Sequence, residues 1–259
     1  MTFVIRLVGR QVGHFFYHLG CFADLFWQTI KAFADVKTYV RLVGTQMLRI
    51  GVQSIPIVIY IAMFAGMVTS IQSSENFDEF VPQYLIGMVV EKGVLRELSA
   101  VLTALVLAGR VGASIAAEIG TMRVTEQIDA LETLAFNPVS YLVVPRVIAG
   151  TVMFPALTVF AAFVGVVGGW LTAIMVMDVT TFEFFKGVRQ YFVMKDVVLP
   201  MAKSVIFGFA ITLIACYQGF NSKGGAEGVG SAATKTAVIS CLMVLFLDFL
   251  IAALILFKY

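Results

Sequence analysis

Five long stretches of mostly apolar residues dominate this sequence of 259 residues. A helix needs about 20 apolar residues to cross a hydrocarbon core roughly 30 Å thick. The stretches that meet this length in whole or in part are 51–71, 98–117, 147–177, 197–220 and 236–257. Because a chain crossing lipid must satisfy its backbone hydrogen bonds internally, spans of this length form helices. The sequence therefore predicts an all-α integral membrane protein with five transmembrane helices.

The composition agrees with a lipid environment. Hydrophobic residues make up 60% of the chain and charged residues 13%, whereas soluble domains hold about 45–50% and about 25%. The net charge of +2 comes without a basic cluster, so we expect no nucleic-acid partner. The three cysteines lack C-x-x-C spacing, which gives no redox or metal signal.

No segment has the make-up of an enzyme's active site. Residues 224–235 read G-G-A-E-G-V-G-S-A-A-T-K, but a phosphate loop needs Lys directly after its last Gly, and Ser231 stands there instead. We expect a flexible connector. His14 and His18 lie four residues apart without a further ligand, so we expect no metal site. A nucleophile elbow G-x-S-x-G is absent from the sequence.

The N-terminal segment, residues 1–46, mixes aromatic with charged residues. This mixture favours an amphipathic helix lying in the membrane interface, and a sixth span is the alternative. Arg6, Arg10, His14 and His18 interrupt the first apolar stretch, so we expect no cleaved signal peptide. Residues 47–259 would form the membrane domain.

The distribution of Lys and Arg predicts the orientation. With the N-terminus in the cytoplasm, ten Lys and Arg residues fall inside and six outside. The positive-inside rule then favours a cytoplasmic N-terminus and an external C-terminus. This orientation puts 118–146 and 221–235 in the cytoplasm and 72–97 and 178–196 outside.

Two stripes of small residues predict close helix packing. Small residues four apart line one face of a helix and let two backbones approach each other within a membrane. The stripes are Ala104, Ala108, Gly112 and Ala116 in the second stretch and Ala161, Gly165, Gly169 and Ala173 in the third.

Lys203 and Asp248 are charges inside apolar stretches, where an unpaired charge is costly. Counting residues from the outer ends of their helices places them within roughly one turn of each other in depth. Two interpretations are compatible: a salt bridge that joins the fourth and fifth spans, or a polar seam along a path for cargo. Arg96 and Glu97 stand where the second stretch opens, as an interfacial cap or as contacts to a lipid headgroup.

Residues 118–136 predict a short amphipathic helix after the second span. Apolar and charged side chains alternate there at helical spacing. Such a helix at a membrane surface is either a connector or a docking element for a partner, and the residues alone favour neither.

The motifs of the central region resemble a known family. They are R-E-L at 96–98, A-G-R-V-G-A at 108–113, E-I-G-T-M-R-V-T-E-Q at 118–127 and N-P at 137–138, followed by A-K-S-V at 202–205 and L-D-F at 247–249. Together they resemble the MlaE family, the permease subunits of lipid-transporting ABC systems.

The resemblance implies a homodimeric permease in the bacterial inner membrane. It implies movement of glycerophospholipid between that membrane and periplasmic partners, contributing to outer-membrane lipid asymmetry. The implied partners are an MlaF-like ATPase that binds ATP and Mg²⁺, a hexamer of MlaD-like MCE subunits and an MlaB-like STAS protein. The chain itself would need no cofactor. A scaffold that anchors an MCE ring and an intramembrane lipid-modifying enzyme are the rival functions.

The resemblance also implies roles for particular residues. The helix 118–136 would be the coupling helix that enters the ATPase, and the lipid pocket would lie at the dimer interface. The implied coupling residues are Glu118, Thr121, Met122, Arg123, Glu126 and Gln127, and the implied lipid-path residues are Phe77, Phe80, Glu97, Leu98, Lys203 and Asp248. Glu91 and Lys92 depart from the apolar character expected of the family at the pocket mouth.

Overall fold

The computed structural model describes residues 2–33, 39–75 and 82–256, which hold helices and no strand. The α-helices of this part of the chain are α1 (Thr2–Ala32), α2 (Val40–Ile50), α3 (Ile55–Glu75), α4 (Tyr84–Gly93), α5 (Ser99–Leu107), α6 (Ala113–Val124), α7 (Gln127–Thr133), α8 (Val144–Met177), α9 (Thr181–Tyr191), α10 (Lys195–Phe220) and α11 (Gly225–Leu256). The predicted all-α class is confirmed.

Five helical stretches of the described chain are long and apolar enough to cross a membrane, as predicted. They are span 1 (Val40–Glu75), span 2 (Tyr84–Val124), span 3 (Val139–Met177), span 4 (Lys195–Phe220) and span 5 (Gly225–Leu254). The helix α1 is not among them. It packs by its aromatic side chains on span 4, where Phe22 meets Tyr217 and Phe26 meets Phe209.

All five spans begin earlier than predicted, and for three of them the earlier start changes a prediction. Span 1 begins at Val40, so the expected boundary between residues 46 and 47 lies inside α2. Span 2 begins at Tyr84, so residues 84–97 are helical and do not form a loop. Span 5 begins at Gly225, so the expectation of a flexible connector at 224–235 is wrong. Gly224 and Gly225 turn the chain there with φ of 95° and 70°, and the helix then continues.

Spans 1 and 3 approach each other closely enough to bring backbone against backbone. A Cβ added to Gly66 would lie 1.8 Å from the carbonyl oxygen of Gly165, and one added to Gly168 would lie 2.4 Å from that of Met63. A Cβ on Gly169 would lie 2.5 Å from Val90 Cγ1. The stripe of span 3 therefore faces span 1 and the start of span 2, which is the role that small residues have between membrane helices.

The stripe of span 2 faces the other side of the bundle. Ala104, Ala108 and Ala116 are fully buried, and a Cβ on Gly112 would touch Ile211 of span 4 and Thr236 of span 5. Span 2 thus lies at the centre of the described bundle and carries residues toward every other span.

Span 2 is interrupted by two π-helical turns. They cover Val94–Leu98 and Ala108–Gly112, and each includes a charged residue that the predicted span did not explain. Arg96 and Glu97 stand in the first turn and Arg110 in the second. Turns of this kind occur often at functional sites because they redirect side chains.

Candidate functional site

Lys203 stands between two carboxylates that come from two other spans. Its Nζ atom lies 2.8 Å from Glu97 Oε2 in the first π turn of span 2 and 2.8 Å from Asp248 Oδ1 on span 5. The contact to Glu97 has the geometry of a hydrogen bond, whereas that to Asp248 is an ion pair without one. We call these three residues the Lys203 cluster.

The three side chains of the cluster differ in exposure, from the buried Lys203 to the exposed Glu97. The Lys203 side chain is 3% exposed, that of Asp248 22% and that of Glu97 55%. Because a lone charge in hydrocarbon is costly, the buried ammonium is stable only while it is paired with these carboxylates. The Nζ atom carries three donor hydrogens, so a polar group that arrives beside Glu97 meets an ammonium still able to donate.

The sequence placed Lys203 and Asp248 at similar depth, and the structure brings them into contact. It adds Glu97, which the sequence placed at the start of the second span. Glu97 lies 13 residues inside a helix that begins at Tyr84, so it does not cap a helix end. Leu98 follows it, half-buried against a small apolar cluster around Val90 and Val94. Phe77 and Phe80 lie outside the described residues.

A second ion cluster lies near the start of spans 2 and 4. Asp196 is buried and pairs with Lys92 and with Arg96, whose Nε donates to Asp196 Oδ1. Lys92 also donates to the carbonyl oxygen of Tyr191 at 2.6 Å. Neither the sequence pattern nor its spacing pointed to this cluster, because its partners lie about a hundred residues apart in the chain.

Glu118 ties three spans together at the end of the bundle where α7 lies. Its Oε1 atom lies 2.5 Å from Arg49 NH1 of span 1, and its Oε2 atom lies 3.1 Å from Arg146 NH2 of span 3. Arg146 is buried and also donates to the carbonyl oxygen of Leu142. Glu118 is therefore held by ion pairs within the chain, which the sequence did not predict.

The segment 118–136 is not one helix as predicted. α6 carries Glu118 to Val124, the chain turns at Thr125 and Glu126, and α7 begins at Gln127. Glu126 has φ of 60°, a left-handed conformation that ends one helix before the next begins. We call residues 121–136 the α6–α7 corner.

Apolar packing fixes the α6–α7 corner to the rest of the chain, and an ion pair holds its own turn. Ile128 is buried in the core, and Arg123 NH1 lies 2.6 Å from Asp129 Oδ1 across the turn. Met122 packs inward against the core. Of the six predicted coupling residues, Thr121, Glu126 and Gln127 are exposed, so the corner presents a polar tip on an apolar anchor.

Comparison with known proteins places this geometry in a family. The family Permease MlaE matches residues 43–254. A probable ABC transporter permease protein of Rickettsia typhi is 40% identical over 252 residues, covering 97% of both chains. A probable ABC transporter permease protein of Synechocystis is 43% identical over 203 residues, covering 78% of this chain and 77% of the relative.

A third relative has a more specific name. The intermembrane phospholipid transport system permease protein MlaE of Haemophilus influenzae is 33% identical over 251 residues, covering 96% of both chains. The matched region includes every described span except the first three residues of span 1, and it includes both the Lys203 cluster and the α6–α7 corner. The chain is a multi-pass membrane protein that belongs to the MlaE permease family of ABC transporters.

Proposed function

We propose that this permease moves glycerophospholipid and that the lipid passes the Lys203 cluster. The observation that carries the proposal is a buried ammonium held by two carboxylates, one of which opens to the outside of the protomer. A lipid phosphate that reaches Glu97 would meet a remaining N–H donor of Lys203 while Asp248 stays paired with the ammonium. Leu98, Phe77 and Phe80 would contact the lipid's apolar part.

The α6–α7 corner is the proposed contact for a cytoplasmic ATPase resembling MlaF. A corner anchored by Ile128 and tied to three spans through Glu118 would transmit a push from outside the membrane into spans 1, 2 and 3. In this proposal the ATPase binds ATP and Mg²⁺, and the permease binds neither. The N-terminus and the corner lie in the cytoplasm and the C-terminus in the periplasm.

The remaining partners are those that the resemblance to the MlaE family implies. We propose a homodimer in the bacterial inner membrane with the lipid pocket at its interface. A periplasmic hexamer of MCE subunits resembling MlaD would exchange lipid with it, and a STAS protein resembling MlaB would join the ATPase.

Transfer of fluorescent phospholipid between vesicles tests the proposal. The complete transporter is reconstituted, and transfer to acceptor vesicles is followed with ATP and with a non-hydrolysable analogue. We expect ATP-dependent transfer by the wild type and its loss in Lys203→Met. Glu183→Gln, at a partly exposed carboxylate on α9, is the control and should transfer normally. Transfer that does not depend on ATP, or that is as fast in Lys203→Met as in the wild type, would overturn the proposal.

A further inference from the structure

A cavity of about 260 Å³ lies between spans 2, 3 and 4, beside α9. Its walls are largely apolar and come from Leu95, Val159, Ala162, Phe163, Val166, Val188, Phe192, Val197, Pro200 and Met201. Its polar lining residues are Glu91, Asp196, Ser99 and Thr158. None of these residues belongs to the Lys203 cluster.

Glu91 makes this cavity more than a packing gap. Its side chain is 1% exposed, and neither carboxylate oxygen has a hydrogen-bond partner among the described residues. Lys92 Nζ lies 3.7 Å from Glu91 Oε2, which is too long for a hydrogen bond. Because buried polar groups are almost always hydrogen-bonded, Glu91 has an unmet demand for a donor inside the cavity.

The cavity is polar at one end and apolar along its length. Glu91, Leu95 and Ser99 follow one another at four-residue spacing along span 2, so they cover about 12 Å of depth. Glu91 and Asp196 mark the end near α9, while Thr158 and Met201 line the deeper part. The exposed side chains of Val159 and Phe163 stand where lipid chains would enter from the side. Such a slot suits an amphiphile oriented like a membrane lipid.

The charges at the polar end select among headgroups. Asp196 takes one donor from Lys92 and one from Arg96, and half of the Arg96 side chain remains exposed with donors to spare. The Glu91 carboxylate therefore favours binding of a cation, and the exposed donors of Arg96 favour binding of an anion. A zwitterionic headgroup with an ammonium and a phosphate can bind both residues, whereas an anionic headgroup without an ammonium leaves the Glu91 carboxylate without a partner.

We propose that this cavity binds one phospholipid with a primary-amine headgroup, its ammonium on Glu91, its phosphate beside Arg96 and Lys92, and one acyl chain between α8 and α10. This site is separate from the proposed transport path and does not depend on it. It gives Glu91 and Lys92, which depart from the apolar character expected here, a specific role in lipid selection.

Photo-crosslinking of the full chain in lipid nanodiscs tests the site. The nanodiscs hold equal parts of phosphatidylethanolamine and phosphatidylglycerol, and one of the two carries a diazirine in an acyl chain. Adducts are mapped to Ser99 and Thr158, which are buried and beyond the reach of surrounding lipid. We expect about tenfold more adduct from phosphatidylethanolamine, a preference worth about 1.4 kcal/mol.

Three variants sharpen the result. Glu91→Leu should reduce the phosphatidylethanolamine adduct to the phosphatidylglycerol level, and Ala162→Trp should fill the slot and remove both adducts. Glu183→Leu, at a partly exposed carboxylate on the neighbouring α9, should change neither. If Glu91→Leu does not fold, the comparison of the two lipids and Ala162→Trp still decide. Equal labelling by both lipids, no label on Ser99 and Thr158, or labelling that survives Ala162→Trp would overturn the proposal.

Discussion

Lys203 is a buried charge within span 4. Its ammonium is buried and depends on carboxylates from two other spans. Removing one partner of a buried pair is strongly destabilising, and removing both is often far less so, because no lone charge remains. The Lys203 cluster therefore predicts a specific pattern of stabilities among its variants.

We expect Lys203→Ala to lower the free energy of unfolding by about 1–3 kcal/mol, the cost of a buried polar group left unpaired. Asp248→Ala should lower it by less, because Lys203 keeps its hydrogen bond to Glu97. The double variant should recover much of this loss, since the remaining Glu97 is more than half exposed. Thermal unfolding of the purified protein in detergent measures all three. Losses that simply add in the double variant would show that the two residues are not coupled.

At the residue scale, the sequence predicted the depth of Lys203 and Asp248 but not their third partner. Counting along a helix gives depth, which is why this pair was accessible. Glu91, Lys92, Arg96 and Glu97 together resemble the end of a span, because a hydropathy pattern cannot tell a solvated charge from a paired one. Asp196 and Lys203, which pair with most of them, lie about a hundred residues away.

Among the elements, α3 and α8 pack with no room for an added Cβ at their closest approach. The Cβ of an alanine at Gly66 would meet the backbone of Gly165, and a backbone cannot move aside as a side chain can. Gly44 of α2 offers a control, because a Cβ there meets nothing within 4 Å.

We expect Gly66→Ala to destabilise the protein by about 1–3 kcal/mol through overpacking and Gly44→Ala to stabilise it by about 0.5–1 kcal/mol through lower chain entropy. Gly169→Leu should also lower the yield of folded protein, since its side chain would strike Val90. Melting temperatures of matched preparations measure these effects. A stable Gly66→Ala protein would mean that α3 and α8 do not pack this closely.

The α6–α7 corner supports a test of partner docking that leaves the fold intact. Arg123 pairs with Asp129 and Glu118 with two arginines, so changing these would disturb the permease itself. Glu126 and Gln127 are exposed and make no such contact in the described structure. They are the better positions for a charge reversal.

We expect Glu126→Lys combined with Gln127→Lys to reduce ATPase recovery in a pull-down about tenfold, equivalent to about 1.4 kcal/mol. Glu183→Lys on α9, at the other end of the bundle, is the matched control and should retain the ATPase. Recovery that is the same for both variants would remove the corner from the ATPase contact.

The element scale also shows where prediction from sequence stops. Long apolar runs predicted all five spans, and the small-residue stripes predicted the buried faces of spans 2 and 3. The break at Thr125 and Glu126 has no Gly or Pro to signal it, and only the left-handed Glu126 marks it in the structure. The early start of span 5 was hidden because residues 224–235 are rich in Gly and polar side chains, although Ala232 and Thr236 pack inward.

For the whole molecule, the orientation in the membrane is a prediction from the distribution of Lys and Arg. Single cysteines at Glu132 on α7 and at Glu183 on α9 probe opposite ends of the bundle, since Glu132 is exposed and Glu183 is partly exposed. With the native cysteines replaced, a membrane-impermeant maleimide should label Glu183→Cys in spheroplasts and should label Glu132→Cys only after lysis. The reverse pattern would invert the proposed topology.

The central claim is that phospholipid visits the Lys203 cluster, and crosslinking in the membrane tests it most directly. A photoreactive amino acid replaces Leu98 in cells whose phospholipids carry radioactive phosphate, and the same residue replaces Val152, which is exposed on α8, as a reference for surrounding lipid. We predict strong labelling at Leu98 that is lost in Lys203→Met, and labelling at Val152 that Lys203→Met leaves unchanged. If Lys203→Met leaves labelling at Leu98 unchanged, as it should at Val152, the result would contradict the account.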